Sequence, residues 1–332
     1  MDLSPKLKVD SVRILVNNGN HNAFTDLCRF KERFYLTFRS CPDGHMVFPT
    51  SSIRIMASDT GDSWREVFSF QVKDRDVRDP HFLIFQGKLF VYTGTWLCDP
   101  ERPGHRDLND HLGYGAWSQD GETWKGPAFL EGTYGHYIWR AACHDGVAYL
   151  CGRRKKDFAH WGGPGEEARQ LIQAAMLESG EGLVWRTCAL FAEEYGDETA
   201  FLFEEDGSVL AVVRGPGGGP ARLCTSSPPF EEWERTSLGR YIGGPLLARW
   251  GGRTLVGGRK TTEGKGQVTA LYWLVERELV EAAELPSGGD NSYPGFVALD
   301  DQRGLLSYYS SHEGSGSGKP PSAIYLADLS LE

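Results

Sequence analysis

The hydrophobic pattern of the chain is one phrase repeated six times, in which two apolar stretches flank a short polar turn. Turns such as "QG", "HDG" and "EEDG" are typical of β-hairpins, so each copy predicts an antiparallel strand pair. The copies start roughly 45 to 60 residues apart, the length of a four-stranded propeller blade. They read "DLCRFKERFYLTFR", "HFLIFQGKLFVYTGT", "RAACHDGVAYLCGRR", "AFLFEEDGSVLAVVR", "PLLARWGGRTLVGGR" and "GFVALDDQRGLLSYYS".

A further β-like run follows each hairpin, for instance "SIRIMASD" and "AIYLADLSL", and supplies the outer strands. The last repeat reaches Glu332 after three strands, whereas "SVRILVNN" near the start is a spare strand. We therefore predict an all-β, six-bladed propeller formed by residues 1–332 as one domain. Its last blade is closed by the strand Val12–Asn17, which removes exposed sheet edges. The pattern predicts no helix and no domain linker.

The amino-acid composition limits the classes of partner that such a propeller is expected to bind. Asp and Glu (45) outnumber Lys and Arg (35), giving a net charge of −10, which argues against a nucleic-acid partner. The seven cysteines have no C-x-x-C spacing, so neither a disulfide framework nor a zinc site is indicated. No apolar run is long enough to span a membrane, and no signal peptide precedes the first strand. We expect a cytoplasmic protein without a metal or other cofactor.

Two short motifs, "SDTGDSW" at Ser58–Trp64 and "SQDGETW" at Ser118–Trp124, precede the fourth strands of the first two blades. They resemble the Asp-box, S-x-D-x-G-x-[ST]-W, of sialidases and other propellers. The acid is expected to cap backbone N–H groups of the turn, Gly to adopt a positive φ, and Trp to pack between strands. The motifs are therefore interpreted as structural.

Corresponding positions of all blades face the same end of the central channel, so the repeats can be compared column by column. The ends of the second strands carry Arg39, Thr95, Arg153, Arg214, Arg259 and Tyr309. The starts of the first strands carry His21, Asn22, Arg78, Asp79, Trp139, Arg140, Asp197, Glu198, Tyr241, Asn291 and Tyr293. Since the second strand leaves where the first one begins, both columns line one mouth.

Arginines gathered in an acidic protein indicate a site for a carboxylate or another anion, because guanidinium groups bind carboxylates through two parallel hydrogen bonds. Ion pairing with nearby acids is the structural alternative for each single arginine. We predict a substrate-binding set of Arg39, Arg214, Arg259, Arg78, Asp79, Arg140, His21 and Asn22.

The segment "DETAFLFEEDGSVLAVVR" resembles the sialidase phrase in which a Glu precedes a strand and an Arg ends the hairpin. "SGGDNSYPGF" is similar to the segment that carries the sialidase tyrosine. The resemblance implies that Tyr293 is the nucleophile and that Glu198 is the base that lowers its effective pKa. Arg214 and Arg259 would clamp the carboxylate. A neutral phenol also approaches an anionic substrate without charge repulsion.

The chain departs from the sialidase pattern in its first blade. Sialidases begin that blade with F-R-I-P, whereas this chain has "HNAFTD", so the first clamp arginine is missing and His21, Asn22 or Thr25 stands near its place. Arg39 is a candidate replacement. The acid/base residue is expected in the loop "SCPDGHMVFPTSS", which offers Asp43 and His45.

Three functional classes follow from these residues. The first is a retaining glycosidase that acts on a carboxylated sugar, sialic acid or a relative, through a tyrosyl intermediate. The second is a uronic-acid polysaccharide lyase in which Tyr293 or His45 is the base and arginines neutralise the enolate-like charge. The third is a non-catalytic propeller that binds a sugar or another partner at its mouth.

Overall fold

Strands account for nearly all regular structure in the computed structural model, which describes residues 6–160, 165–264 and 266–332. They form six antiparallel sheets of four strands, the blades. Blade one consists of β2 (His21–Phe30), β3 (Arg33–Cys41), β4 (Ser52–Ser58) and β5 (Arg65–Phe70). Blade two consists of β6 (Arg75–Phe85), β7 (Lys88–Leu97), β8 (Tyr114–Ser118) and β9 (Trp124–Phe129). Blade three consists of β10 (His136–His144), β11 (Val147–Lys155), β12 (Ile172–Ser179) and β13 (Arg186–Ala192). Blade four consists of β14 (Thr199–Phe203), β15 (Val209–Val213), β16 (Arg222–Ser226) and β17 (Glu234–Ser237). Blade five consists of β18 (Gly243–Trp250), β19 (Arg253–Thr262), β20 (Gly266–Val275) and β21 (Glu278–Glu284). Blade six consists of β22 (Asn291–Ala298), β23 (Arg303–Ser310), β24 (Ala323–Leu331) and the N-terminal β1 (Leu7–Val16).

Helical structure is confined to short segments in loops. One α-helix, α1 (Glu166–Gln170), and three 3₁₀ turns, Leu108–Asp110, Lys156–Phe158 and Pro216–Gly218, occur in the described ranges. Within those ranges no helix is long and apolar enough to cross a membrane.

The six blades close into a ring. The first strand of each blade contacts the first strands of the two neighbouring blades, and β22 meets β2 to complete the circle. The outermost strand of blade six is β1, which pairs antiparallel with β24 from Leu7 to Val16. The predicted propeller and its closure by the N-terminal strand are confirmed, although that strand begins five residues before the predicted Val12.

Apolar side chains fill the wedges between neighbouring blades. Between blades five and six, for example, buried Leu246 and Leu271 belong to the same cluster as Leu306 and Tyr308. Each such wedge buries one face of two sheets, so a blade depends on both neighbours for its apolar burial. This mutual support makes the ring a rigid scaffold for the mouth.

A β-bulge interrupts the first strand of five blades near the mouth. The strand registers shift between Ala23 and Asp26, Arg78 and His81, Ile138 and Ala141, Gly243 and Leu246, and Ser292 and Gly295. Positive φ angles accompany the bulges at Phe24 (60°), Asp79 (51°), Gly244 (60°) and Tyr293 (53°). A bulge adds unpaired residues and re-aims side chains, which is how neighbouring residues of one strand reach the channel.

The Asp-box motifs lie on the turns between the third and fourth strands, at the end of the blades opposite the mouth. In the second motif Asp120 caps the turn, since its Oδ1 accepts hydrogen bonds from the N–H groups of Glu122 (2.8 Å) and Thr123 (2.7 Å). In the first motif the predicted cap by Asp59 is wrong. Its carboxylate instead accepts from Arg33 Nε at 2.6 Å, and the Thr60 hydroxyl accepts the Asp62 N–H of that turn at 3.3 Å.

This difference predicts unequal costs of mutation. We expect Asp120→Ala to lower the melting temperature by a few degrees, because two turn N–H groups lose their acceptor. Asp59→Ala removes only an exposed ion pair and should change it less. Thermal denaturation of both variants checks this, and equal losses would contradict the assignment of the cap.

Candidate active site

Tyr293 lies at the bulge of β22 with its ring directed into the mouth. The ring packs against Phe24 at 4.8 Å between centroids and against Trp139 at 6.0 Å, and the residue is only 5% exposed. Gly244 is required beside it, since a Cβ there would lie 2.7 Å from the tyrosine ring and its φ is +60°. The position of the phenol is therefore fixed by packing from three blades.

Glu198, immediately before β14, is hydrogen-bonded to this phenol. Tyr293 donates its hydroxyl to Glu198 Oε1 at 2.6 Å, and Glu198 Oε2 accepts from Arg214 Nη1 at 2.8 Å and from the Gly244 N–H at 3.2 Å. Burial alone would raise the pKa of Glu198, but Arg214 and the Tyr293 hydroxyl lower it below its ordinary value. Glu198 is therefore ionised near neutral pH and ready to accept a proton.

The acidity of Tyr293 differs from the sequence-based expectation. Burial and the charge of Glu198 raise the pKa of Tyr293 well above its ordinary value, so the carboxylate does not lower it. The resting tyrosine is a neutral phenol. Glu198 can activate it only by taking the proton as the phenolic oxygen forms a bond.

Arg214 and Arg259 flank the phenol. Arg214 Nη1 lies 3.4 Å from the Tyr293 hydroxyl, and the Arg259 guanidinium carbon lies 5.6 Å from the centre of the tyrosine ring. Arg259 is oriented by the carbonyl oxygen of Asn291 at 2.9 Å and by Tyr309, whose hydroxyl is 3.4 Å from Nη2. Of the predicted clamp, the structure brings these two arginines together with Tyr293 and Glu198.

Arg39 is not part of this group. It is fully buried, and it donates to the Asp76 carboxylate (2.8 and 3.0 Å), to Gly44 O (2.9 Å) and to Met46 O (3.0 Å). Nearly all of its hydrogen-bonding capacity is thus used within the protein. The proposed compensation for the missing clamp arginine is not seen, because buried Asp76 requires the positive charge.

Two other arginines of the predicted substrate-binding set are also committed to protein partners. Arg78 donates to Asp76 and to His45 O at 2.7 Å. Arg140 donates to Asp26 Oδ1 at 3.0 Å and to Pro294 O at 2.6 Å, next to the nucleophile candidate. Both arginines therefore support backbone at the mouth through these hydrogen bonds.

Asp79, on the bulge of β6, is a buried acid. Tyr137 donates its hydroxyl to Asp79 Oδ2, whereas Oδ1 has no partner among the described residues. Burial and the charge of Glu198 raise the pKa of Asp79 to about 8. Asp79 is therefore neutral at pH 7, which keeps one negative charge away from Glu198.

The loop after β3 carries both acid/base candidates, and they lie in different surroundings. Asp43 is exposed, and its carboxylate accepts the Thr50 hydroxyl. His45 is 30% exposed, its Nδ1 lies 2.6 Å from Asp290 Oδ2, and its ring centroid is 5.4 Å from that of Phe24. Phe24 also packs on Tyr293, so the rings of His45 and Tyr293 share one neighbour, whereas Asp43 is exposed.

His21 and Asn22 occupy the place of the missing arginine. His21 Nε2 lies 2.8 Å from the same Asp290 oxygen as His45, and burial lowers the pKa of His21. Asn22 donates to Ser322 O at 3.0 Å and so joins blades one and six. Thr25, the third residue considered there, donates its hydroxyl to Tyr293 O at 2.8 Å.

His21, His45 and Asp290 are the one group within the described ranges that offers three metal-ligating side chains, with ligand atoms within 4.8 Å of one another. A metal-bound imidazole normally donates its second N–H to an acceptor. Buried His21 Nδ1 has no partner in the part of the chain that the structure describes. The donor set therefore fits hydrogen bonding around a carboxylate better than it fits a metal ion.

Solved sialidases have a similar fold. The sialidase of Trypanosoma rangeli in complex with the inhibitor DANA aligns with a TM-score of 0.67 at 12% identity, over 98% of this chain and 60% of that chain. Hadza microbial sialidase Hz136 aligns with a TM-score of 0.66 at 14% identity, over 93% of this chain and 65% of the other. The parainfluenza virus 5 hemagglutinin-neuraminidase ectodomain gives 0.64 at 9% identity, over 98% and 87% of the two chains.

These likenesses establish the fold alone, because all three identities are low. The chain spans about 60% of the length of the Trypanosoma rangeli sialidase. No protein-family model matches the chain, and no curated protein matches its sequence.

Three residues at the mouth were not singled out from the sequence. Asp290 is hydrogen-bonded to His21 and His45. Asp76 forms ion pairs with Arg39 and Arg78, and Gly244 leaves space for the Tyr293 ring. Asp290 lies inside the quoted segment "SGGDNSYPGF", directly before a first strand, and so carried a positional signal. Asp76 and Gly244 carried none, because their roles depend on partners in other parts of the chain.

Proposed function

We propose that this protein is a retaining glycosidase that cleaves the bond between a carboxylated sugar and its leaving group. One observation carries the proposal: the Tyr293 hydroxyl is hydrogen-bonded to ionised Glu198 between two arginines. A nucleophile, its base and a cationic clamp thus share one point at the mouth of the propeller. The fold likeness to sialidases, one of them solved with sialic acid, supports the same class of substrate.

The arginines would bind the substrate carboxylate. The Arg214 side chain is 23% exposed, and its Nη2 makes no hydrogen bond within the described part of the chain. An unengaged guanidinium N–H can donate to a carboxylate oxygen, which is the strongest acceptor that a ligand can bring. Together with Arg259, this group would orient the sugar so that its anomeric carbon faces the Tyr293 oxygen.

In the first step the Tyr293 oxygen attacks the anomeric carbon, and the phenolic proton passes to Glu198. The bond from the anomeric carbon to the leaving-group oxygen breaks, and that oxygen takes a proton from an acid on the mouth. A tyrosyl glycoside and a free alcohol result. The neutral phenol matters here, because an anionic nucleophile would be repelled by the substrate carboxylate.

In the second step water attacks the same carbon. The acid of the first step, now a base, takes a proton from the water, and the tyrosine oxygen leaves and recovers its proton from Glu198. Two inversions give retention at the anomeric carbon. The step needs no cofactor or metal ion.

Covalent trapping tests the proposal. We expect a carboxylated glycosyl fluoride that bears a second fluorine beside the anomeric carbon to form a stable adduct, since that fluorine slows breakdown of the intermediate. Mass spectrometry of the digested protein should place one sugar on the peptide that contains Tyr293. The methyl ester of the same reagent should label far more slowly, because it cannot pair with Arg214 and Arg259.

Two results would contradict the proposal and favour another function. Release of an unsaturated, ultraviolet-absorbing sugar from a uronic-acid polymer would show a lyase. Binding of an acidic sugar, measured by calorimetry, without any product or adduct would show a binding propeller.

A further inference from the structure

The loop that carries His45 is held rigidly above the mouth. Arg39 donates to the carbonyls of Gly44 and Met46 on either side of His45, and Arg78 donates to the carbonyl of His45 itself. The His45 N–H donates to Gly318 O at 2.7 Å. Two buried arginines thus fix the backbone of one half-exposed histidine, which is unusual support for a side chain without a role.

The Asp290 carboxylate orients the imidazole. Its Oδ2 faces His45 Nδ1 at 2.6 Å and His21 Nε2 at 2.8 Å, and its Oδ1 accepts the Tyr309 hydroxyl at 2.8 Å. Although burial opposes charge, the hydrogen bonds from the two histidines hold the pKa of Asp290 well below its ordinary range. Asp290 is therefore a carboxylate that only accepts hydrogen bonds.

This fixes the tautomer of His45. Because Asp290 accepts, Nδ1 of His45 must carry a proton, and Nε2 is left as the ring nitrogen that can exchange a proton with a ligand. His21 is fully buried and its pKa is lowered by that burial, so it stays neutral beside the same oxygen. Of the two histidines only His45 is partly exposed, so only its ring can reach a ligand.

We propose that His45 is the proton donor to the leaving group and that Asp290 is its positioning residue. The inference rests on the proposed glycosidase function and deepens it. In the first step His45 Nε2–H gives its proton to the leaving oxygen as the glycosidic bond breaks, and the neutral ring later takes a proton from water. Asp290 holds the ring in place and stabilises the imidazolium through Nδ1–H, as a carboxylate does for a catalytic histidine elsewhere.

Leaving-group dependence tests this role. We expect Asp290→Asn to lower kcat/KM for a methyl glycoside of the carboxylated sugar on the order of 10²-fold or more, since a poor leaving group needs protonation. For the 2,4-dinitrophenyl glycoside, whose phenolate leaves without a proton, kcat/KM should fall less than about 5-fold. kcat/KM is the right quantity because it reports only the steps up to the covalent intermediate.

Azide adds a second readout that a merely structural role would not give. Azide attacks the intermediate without needing a base, so it should restore turnover of the dinitrophenyl substrate by Asp290→Asn and His45→Ala and yield a glycosyl azide. Asp43→Asn, which changes the other acid of the loop, is the matched control and should show neither effect. Equal loss on both substrates, or the same pattern in Asp43→Asn, would overturn the proposal.

An activity-independent measurement separates this inference from the proposed function. Nitrogen-edited NMR should show a His45 Nδ1 proton that is protected from exchange in the wild type and lost in Asp290→Asn. If wild type cleaves no carboxylated glycoside, the proposed function fails whatever the spectrum shows. If it does cleave them but His45 lacks that proton, or one equivalent of Zn²⁺ binds to wild type and not to Asp290→Asn, the assignment of Asp290 fails instead.

Discussion

Phenylalanine at position 293 is expected to reduce turnover of a carboxylated glycoside by at least about 10³-fold, because the reacting oxygen is deleted. The ring that packs against Phe24 and Trp139 is kept, so the fold should be unchanged. Binding of the free acidic sugar, measured by calorimetry, should persist because Arg214 and Arg259 remain. Steady-state kinetics and calorimetry on the same preparation make the comparison.

Tyr241→Phe is the matched control. Tyr241 is a second tyrosine of the mouth, and its ring lies 5.6 Å from the Arg214 guanidinium carbon, yet no step of the proposed reaction uses its oxygen. This variant should keep turnover within a few-fold of wild type. An active Tyr293→Phe protein would rule out the tyrosyl intermediate.

Asp79→Asn is expected to make the protein less sensitive to rising pH. Burial and Glu198 raise the folded-state pKa of Asp79 to about 8, above that of an unfolded aspartate. The folded state therefore binds this proton more tightly, and the stability that the proton confers is fully present below about pH 4 and is lost as pH rises towards 8. An amide cannot ionise, so it removes that loss.

The measurement is the melting temperature of both proteins between pH 5 and 9. Asp79→Asn should gain roughly 5–10 °C relative to wild type over this range. The exposed acid Asp43, changed to Asn, serves as the control and should follow the wild-type curve. Parallel curves for wild type and Asp79→Asn would show that Asp79 is already ionised in the folded protein.

The propeller could be predicted because each blade repeats a local pattern, with period-two strands and hairpin turns that are set by near neighbours in sequence. Columns of equivalent positions also predicted that Tyr293, Glu198, Arg214 and Arg259 share one mouth. Arg39 belongs to the same column as the two arginines but lies apart from this group. Its position in the repeat predicted that its backbone lies at the mouth. Its guanidinium pairs with buried Asp76 of the next blade, and no local sequence pattern predicts that pairing.

The same limit applies to Asp59 and Asp290. An offset of one residue within the Asp-box turn decides which side chain accepts the turn N–H groups, and the motif does not fix that offset. Asp290 became important only when ring closure brought it against His21 and His45, which are more than 240 residues away along the chain. Contacts of that range depend on the complete fold.

The pairing of β1 with β24 joins the two ends of the described chain within blade six. Blade six is complete only when β1 pairs with β24, and strands so far apart in sequence are expected to pair late in folding. Beside it, blades one and six are joined by the hydrogen bond of His21 to Asp290 and by those of Ser322 to Asn20 and Asn22. A ring opened at this junction would lose the hydrogen bond between His21 and Asp290, and a ligand that binds at the mouth would slow such opening.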